Sequence, residues 1–203
     1  MQTELHIGRS LHQADIAGDK PALPGDLAMW CFILAELLVF GIFFLAYAYT
    51  RSRHVAMFNA SQLDLDRVSG TANTLLLITS SYFVVRAINA IRHDAARIAS
   101  FWLMAAMGCG LFFVVLKVLE FASKIQAGIS MSTNLFYMFY LFLAFFHFMH
   151  VILGMIILGA VALKAWRGAY HSHDYHGAET AAAYWHMVDL VWIILFPLVY
   201  VLH

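Results

Sequence analysis

Charge is what this sequence has least of. Asp, Glu, Lys and Arg make up 12% of its 203 residues, about half the ~25% usual in soluble proteins. Lys and Arg number 12, as do Asp and Glu, so no basic surplus points to nucleic acid. Cysteines number 2, too few for a disulfide framework, and Cys31 and Cys109 are too far apart to form a CxxC-type pair. Prolines number 3. Two of them, Pro21 and Pro24, precede the first long apolar run, and Pro197 interrupts only the end of the last. No pair of runs is broken by Gly or Pro, and no inverted repeat is visible, which weighs against a transporter with discontinuous helices. Walker, Rossmann, GxSxG, HExxH and CxxCH motifs are all missing. Nothing in the chain resembles a self-sufficient catalytic site.

What remains is apolar. Hydrophobic residues make up 63% of the chain, against ~45–50% in soluble proteins. A water-soluble fold of this size buries only about 70% of its unfolded surface, so the excess requires lipid. A bilayer core needs about 20 consecutive apolar residues per helix, and five stretches supply them: about 27–49, 72–91, 98–122, 133–163 and 181–202. The runs are continuous rather than alternating, as helices require and barrel strands do not. The expected fold is all-α, a polytopic membrane bundle of five transmembrane helices over residues 27–203. Residues 1–26 form a polar, Pro- and Gly-marked lead-in without the apolar core of a signal peptide.

Short connections allow the positive-inside rule to be applied. Arg9, Lys20, Arg86, Arg92, Arg97, Lys164 and Arg167 fall on the side of the N-terminus, and Arg51, Arg53, Arg67 and Lys124 on the other. That imbalance places the N-terminus in the cytoplasm and the C-terminus outside, in the periplasm of a bacterial inner membrane.

Polar residues at membrane depth are expensive, about 2.5–3.5 kcal/mol per central charge on insertion scales, and normally face protein or a cavity. Glu36 lies about nine residues into the first run, roughly 14 Å deep at 1.5 Å per residue. It reads either as a carboxyl hydrogen-bonded within the bundle or as a proton-relay or lipid-contact group. Lys117 and Glu120 share a helical face at i, i+3 and can neutralise each other, although Lys117 is also able to snorkel. His147 and His150, again at i, i+3, lie in a run without Asp, Glu, Lys or Arg. With His186 they suggest a haem or metal site at first glance, yet helix-bridging hydrogen bonds are the commoner use of such residues. The densest pattern is Glu179-Thr-Ala-Ala-Ala-Tyr-Trp-His-Met-Val-Asp-Leu-Val-Trp192. Its Glu179, His186, Asp189 and Trp192 fall on one stripe, a polar helix–helix seam in which His186 and Asp189 can pair within the helix. Trp185 stands beside His186, and Ala181, Ala182 and Ala183 let a neighbour approach closely. The loop His171-Ser-His-Asp-Tyr-His176 has the composition of a metal tract, and equally that of a solvated turn.

These residues resemble a known family, subunit III of the haem-copper respiratory oxidases. The run Glu179–Trp192 is similar to its long E-x-A-x-x-Y-W-H-F-V-D-x-V-W signature, and His147-Phe-Met-His-Val-Ile-Leu-Gly154 resembles H-G-x-H-V-x-x-G. Glu36 in Ala35-Glu-Leu-Leu-Val-Phe40 matches S-E-x-x-F-F, Asn73-Thr-Leu-Leu-Leu77 matches N-T-x-x-L, and Glu120 falls on an E-[YF] pair. The matches occur in order and cover essentially the whole apolar part.

The resemblance implies a non-catalytic accessory subunit that binds no haem, copper or other metal itself and packs against the large subunit I. It implies support of assembly, proton uptake and sustained turnover, with phospholipid as a further partner. Glu36 would be the carboxyl beside a lipid cleft; Glu120, His147, His150, Glu179, Trp185, His186, Asp189 and Trp192 would form a structural polar network. Haem and copper would then reside in subunit I. Many members have seven spans where five are expected here, as in bacterial quinol-oxidase types. Phe148 replaces the glycine of H-G-x-H, and Lys117 stands where an uncharged polar residue is usual. One branch of the family accompanies bacterial nitric oxide reductase, whose partner would carry haem and non-haem iron. A small b-type cytochrome using His147, His150 or His186, and a proton-coupled transporter using Glu36 and Asp189, are the readings from other classes.

Overall fold

The computed structural model describes residues 27–168, 170 and 175–202; the N-terminal segment 1–26 and residues 171–174 of the histidine-containing loop lie outside them. Every regular element among the described residues is helical. In chain order they are α1 (Leu27–Arg53), α2 (Val55–Leu63), α3 (Arg67–Arg92), α4 (Ala96–Gln126), α5 (Leu135–Trp166) and α6 (His176–Phe196), the last continued by a π-helical turn, Pro197–Val201. Five of these helices are long and apolar enough to cross a membrane, the fifth running from His176 to Val201.

Local chemistry sets where the helices stop. Asp66 caps α3 by accepting from the Val68 amide at 2.9 Å, and Asn134 caps α5 by accepting from the Tyr137 amide at 2.9 Å. At the C-terminal ends of α4 and α5 the chain turns through Gly128 (φ 75°) and Gly168 (φ 70°), the left-handed position that glycine occupies without strain. Asp94 (φ 56°) does the same after α3; short-chain Asp tolerates that conformation. Several helices outrun their apolar cores. α1 continues past Tyr49 to Arg53, and α6 begins at His176, which puts Glu179 on the helix rather than before it. A hydropathy window sees only the stretch that must be in lipid, and the polar extensions cost it nothing in water.

α6 lies at the centre of the bundle, against α3, α5 and α1; α3 packs along α4, and α4 along α5. It is the most buried span and α1 the least. Tyr184, Trp185, Val188, Val191, Trp192 and Leu195 of α6 are all buried. The Trp185 indole occupies a slot between α4 and α5 lined by Gly110 and Gly154, where any added Cβ would crowd it. α1 presents Leu34, Leu38 and Leu45 outward, as a lipid-facing helix should. Phe148, on the flank of α5, packs against Phe121 of α4 and Phe145, so the ring lies between helices and at the lipid boundary.

The short helix α2 was not expected. It closes the end of the bundle where α4 finishes and α5 starts. Phe58 packs edge-on to Tyr47 and Phe136, with ring centroids at 5.3 and 5.6 Å. Gln62, fully buried, donates from Nε2 to the Val199 carbonyl at 2.7 Å.

Candidate functional site

Polar side chains inside the spans gather in three places, each joining helices distant in sequence.

The first is the α3–α6 seam. Three residues of the α6 stripe meet α3 in antiparallel order: Glu179 pairs with Arg92 at 2.7 Å, the His186 Nδ1 with the Ser81 hydroxyl at 2.5 Å, and Trp192 Nε1 donates to the Thr74 hydroxyl at 3.0 Å. Thr74 passes its own proton to the Gly70 carbonyl at 2.9 Å, so its oxygen is free to accept from the indole. The expected intrahelical pair of His186 with Asp189 is not formed. Ser81, on the facing helix, takes the imidazole instead; the buried Asp189 carboxyl interacts with the same Ser81, though neither of its oxygens meets a partner in good hydrogen-bond geometry among the described residues. An i, i+3 relation allows a contact but does not compel one when a neighbouring helix offers a better-aimed hydroxyl.

The second is a closed cluster near the end of α4. Lys117 Nζ donates to Glu120 Oε2 at 2.7 Å and to the Tyr200 hydroxyl at 2.8 Å. Glu120 Oε1 accepts from Tyr140 at 2.5 Å and from Tyr200 at 2.6 Å. The ammonium lies 4.7 Å from the Trp192 ring centroid and 5.1 Å from that of Tyr200, within cation–π range. Lys117 therefore does not snorkel; its side chain is wholly buried. Both charges are matched and hydrogen-bonded, the condition under which a buried pair is tolerated. Tyr140 and Tyr200 carry no local pattern in the sequence that marks them as part of this cluster. The only available signal was that the start of the fourth run and the end of the fifth must adjoin the end of the third.

The third joins α1 to α5. Glu36 Oε2 lies 3.1 Å from His150 Nε2, and His150 Nδ1 lies 2.8 Å from the Phe146 carbonyl oxygen. The imidazole is walled by Phe40 and Phe146, with ring centroids at 5.3 and 4.7 Å.

His147 belongs to none of these clusters. Its ring packs against Trp192 and Phe113, with centroids at 5.1 and 5.8 Å, and neither nitrogen has a hydrogen-bond partner among the described residues. Trp185 Nε1 is likewise without one. His147, His150 and His186 thus face three different neighbourhoods rather than one point. No group of three or more His, Cys, Asp or Glu among the described residues has the arrangement of a metal site. A haem on His150 or His186 would have to displace Glu36 or Ser81, and one on His147 would have to displace the Trp192 and Phe113 rings packed against it. The histidine-containing loop before α6 has residues 171–174 outside the described set.

Residues 23–203 match the family described as Cytochrome c oxidase subunit III. The chain is 34% identical over 179 residues to "Cytochrome c oxidase subunit 3" of Thermostichus vulcanus, covering 87% of this chain and 86% of that protein. It is 25% identical to "Probable quinol oxidase subunit 3" of Staphylococcus aureus (strain USA300), with 87% and 88% covered. It is also 27% identical to "Heme-copper oxidase subunit I+III" of Aeropyrum pernix, where the match takes in 85% of this chain and 22% of the much longer relative. A match running from just before α1 to the last residue, over the helices that carry all three clusters, means that this chain belongs to the cytochrome c oxidase subunit III family.

Proposed function

We propose that this chain is the accessory subunit III of a haem-copper terminal oxidase in a bacterial inner membrane. It packs there against subunit I and supports assembly and sustained turnover in aerobic electron transport. One observation carries the accessory reading: the hydrogen-bonded polar clusters inside the spans tie one helix to another. Arg92–Glu179, Ser81–His186 and Thr74–Trp192 join α3 to α6, Lys117–Glu120–Tyr140–Tyr200 joins α4, α5 and the π-turn, and Glu36–His150 joins α1 to α5. Polar groups used this way stabilise a bundle; a relay would instead need a connected file from one face to the other.

Haem and copper then belong to subunit I. The name of the Aeropyrum relative joins subunits I and III in one protein, which supports subunit I as the partner. In this reading Glu120, His150, Glu179, His186 and Trp192 supply the polar ties between helices. His147, Trp185 and Asp189, whose polar atoms make no hydrogen bond among the described residues, act through packing at the centre of the bundle, and Glu36, at its partly exposed rim, bears on turnover. The N-terminus is cytoplasmic and the C-terminus periplasmic, from the distribution of arginine and lysine.

The test is affinity purification of this chain from its native membranes in mild detergent, with mass spectrometry and gas consumption measured on the eluate. The expected result is a haem-copper subunit I that reduces oxygen. Elution of the chain alone overturns the accessory reading, and an eluate that reduces nitric oxide but not oxygen overturns the oxidase assignment.

A further inference from the structure

We propose that Glu36 and His150 form a one-proton dyad at the lipid boundary, in which His150 is the positioning residue that holds the Glu36 carboxyl against the bundle. The Phe146 carbonyl can only accept. A 2.8 Å contact from it to His150 Nδ1 therefore fixes the proton of that nitrogen on Nδ1. With one proton shared between them, Nε2, 3.1 Å from Glu36 Oε2, has two ways to make a hydrogen bond. Either the carboxyl O–H donates to a bare Nε2, or Nε2–H donates to a carboxylate.

The two arrangements differ by the transfer of one proton: an O–H bond breaks, an N–H bond forms, and the pair stays neutral overall. Removing the proton would set two lone pairs against each other; a second proton could sit on Oε1 and leave Oε2 to accept from Nε2–H, but the pair would then carry a net positive charge, which is costly at this depth. A pair with no net charge avoids most of the cost of an isolated charge at this depth.

The surroundings show why the carboxyl needs an anchor. The Glu36 side chain is 20% exposed and that of His150 10%, so the dyad sits at the rim of the bundle rather than in its core. Beside it a groove of about 340 Å³, lined by Met149, His150, Ile152, Leu153 and Ile156, lies along α5. Apart from the imidazole its walls are apolar, so His150 is the polar group that the groove offers to the Glu36 carboxyl. Phe40 and Phe146 keep the imidazole plane in place, and the backbone bond fixes which nitrogen is presented. Tyr184 of α6 also interacts electrostatically with Glu36, and His147 with His150.

The part of this inference that concerns turnover rests on the accessory-subunit reading; the dyad itself does not. The experiment uses the intact complex with ¹⁵N-labelled histidine, the His150 signals being assigned with a His150→Gln variant. Expected are a protonated Nδ1 and an Nε2 signal that moves on Glu36→Gln, an isosteric change at a partly exposed position. A bare Nδ1, or an Nε2 signal unmoved by Glu36→Gln, overturns the dyad. Sustained oxygen consumption is then compared for Glu36→Gln, His150→Gln and the double variant. The same fractional loss in all three is expected of two groups acting as one unit, and additive losses overturn the positioning role. If all three retain wild-type turnover while the nitrogen signals behave as expected, the dyad stands and the turnover role of Glu36 falls.

Discussion

The Gly154 backbone lies so close to the Trp185 ring that a Cβ at position 154 would come within 2.8 Å of the indole Cε3. From α4, a Cβ at Gly110 would meet the same indole at 3.1 Å. The two glycines have a packing reason rather than a turn-forming one. They allow a large, wholly buried ring of the central helix to lie flat between its neighbours. Gly154→Ala is therefore expected to overpack the slot and to cost about 1–3 kcal/mol, read as a lowered thermal midpoint of the purified complex. Gly41→Ala, where nothing lies within 4 Å, is the matched control and should leave that midpoint unchanged or slightly raised, alanine being the better helix former. Equal effects at the two positions would mean that the slot is not tight.

The Lys117–Glu120 cluster is expected to behave as a unit. Lys117→Met leaves the Glu120 carboxyl with its two tyrosine donors but no cation, and removing one partner of a buried pair costs about 3–5 kcal/mol. Replacing both charges, as Lys117→Met with Glu120→Leu, removes the desolvated ions altogether and should recover more than half of that loss. Thermal unfolding of the two single variants and the double variant closes the cycle. A double variant as unstable as the sum of the singles would show that the pair is not the source of the cost.

How much of this was legible in the sequence depended on distance along the chain. The runs that must lie in lipid could be read from apolar length alone, and Lys117–Glu120 from i, i+3 spacing. The same spacing misled at His186 and Asp189, because Ser81, the group that takes the imidazole, is 105 residues away in sequence and is one serine among several. Glu36 and His150 were each singled out but not joined, since nothing in a one-dimensional pattern says that the flank of α1 meets that of α5. α2 was missed for a different reason. Its His54 N-cap makes no side-chain capping bond, and its nine residues are too few to span a membrane. It is held by tertiary contacts, the buried Phe58, Ser61 and Gln62, with Ser61 accepting from Asn134 at 3.0 Å. Tyr200 could not have been placed at all without the register change that begins at Pro197.

At the α3–α6 seam, Ser81→Ala is expected to lower the yield of assembled complex. It strips His186 Nδ1 of its partner in a half-buried setting, where an unsatisfied polar group costs about 1–3 kcal/mol. The stronger statement concerns the pair. Ser81→Ala with His186→Phe removes both polar partners and keeps a ring in the space, so its yield should exceed that of Ser81→Ala alone. The check is the amount of complex recovered per milligram of membrane protein. A double variant worse than either single would mean that His186 has another role besides the seam.

Pro197 offers the sharpest contrast with ordinary helix propensity. In a regular helix, replacing proline by alanine is favourable by about 3 kcal/mol, so Pro197→Ala would be expected to stabilise α6. Here the proline has no N–H to continue the α-helical ladder, and the chain passes into the π register, closed by the Leu202 amide on the Pro197 carbonyl at 2.9 Å. That shift aims Tyr200 at Lys117 and Glu120 and turns the Val199 carbonyl to Gln62. A return to α-helical register would rotate the following side chains by roughly 100° and withdraw the Tyr200 hydroxyl from the cluster. Pro197→Ala is therefore expected to destabilise the complex despite its better propensity. Tyr200→Phe, costly in the wild-type background, should cost almost nothing further in the Pro197→Ala background. Thermal midpoints of the four proteins decide it: a stabilised Pro197→Ala variant, or a Tyr200→Phe effect of the same size in both backgrounds, would show that the π-turn does not place Tyr200.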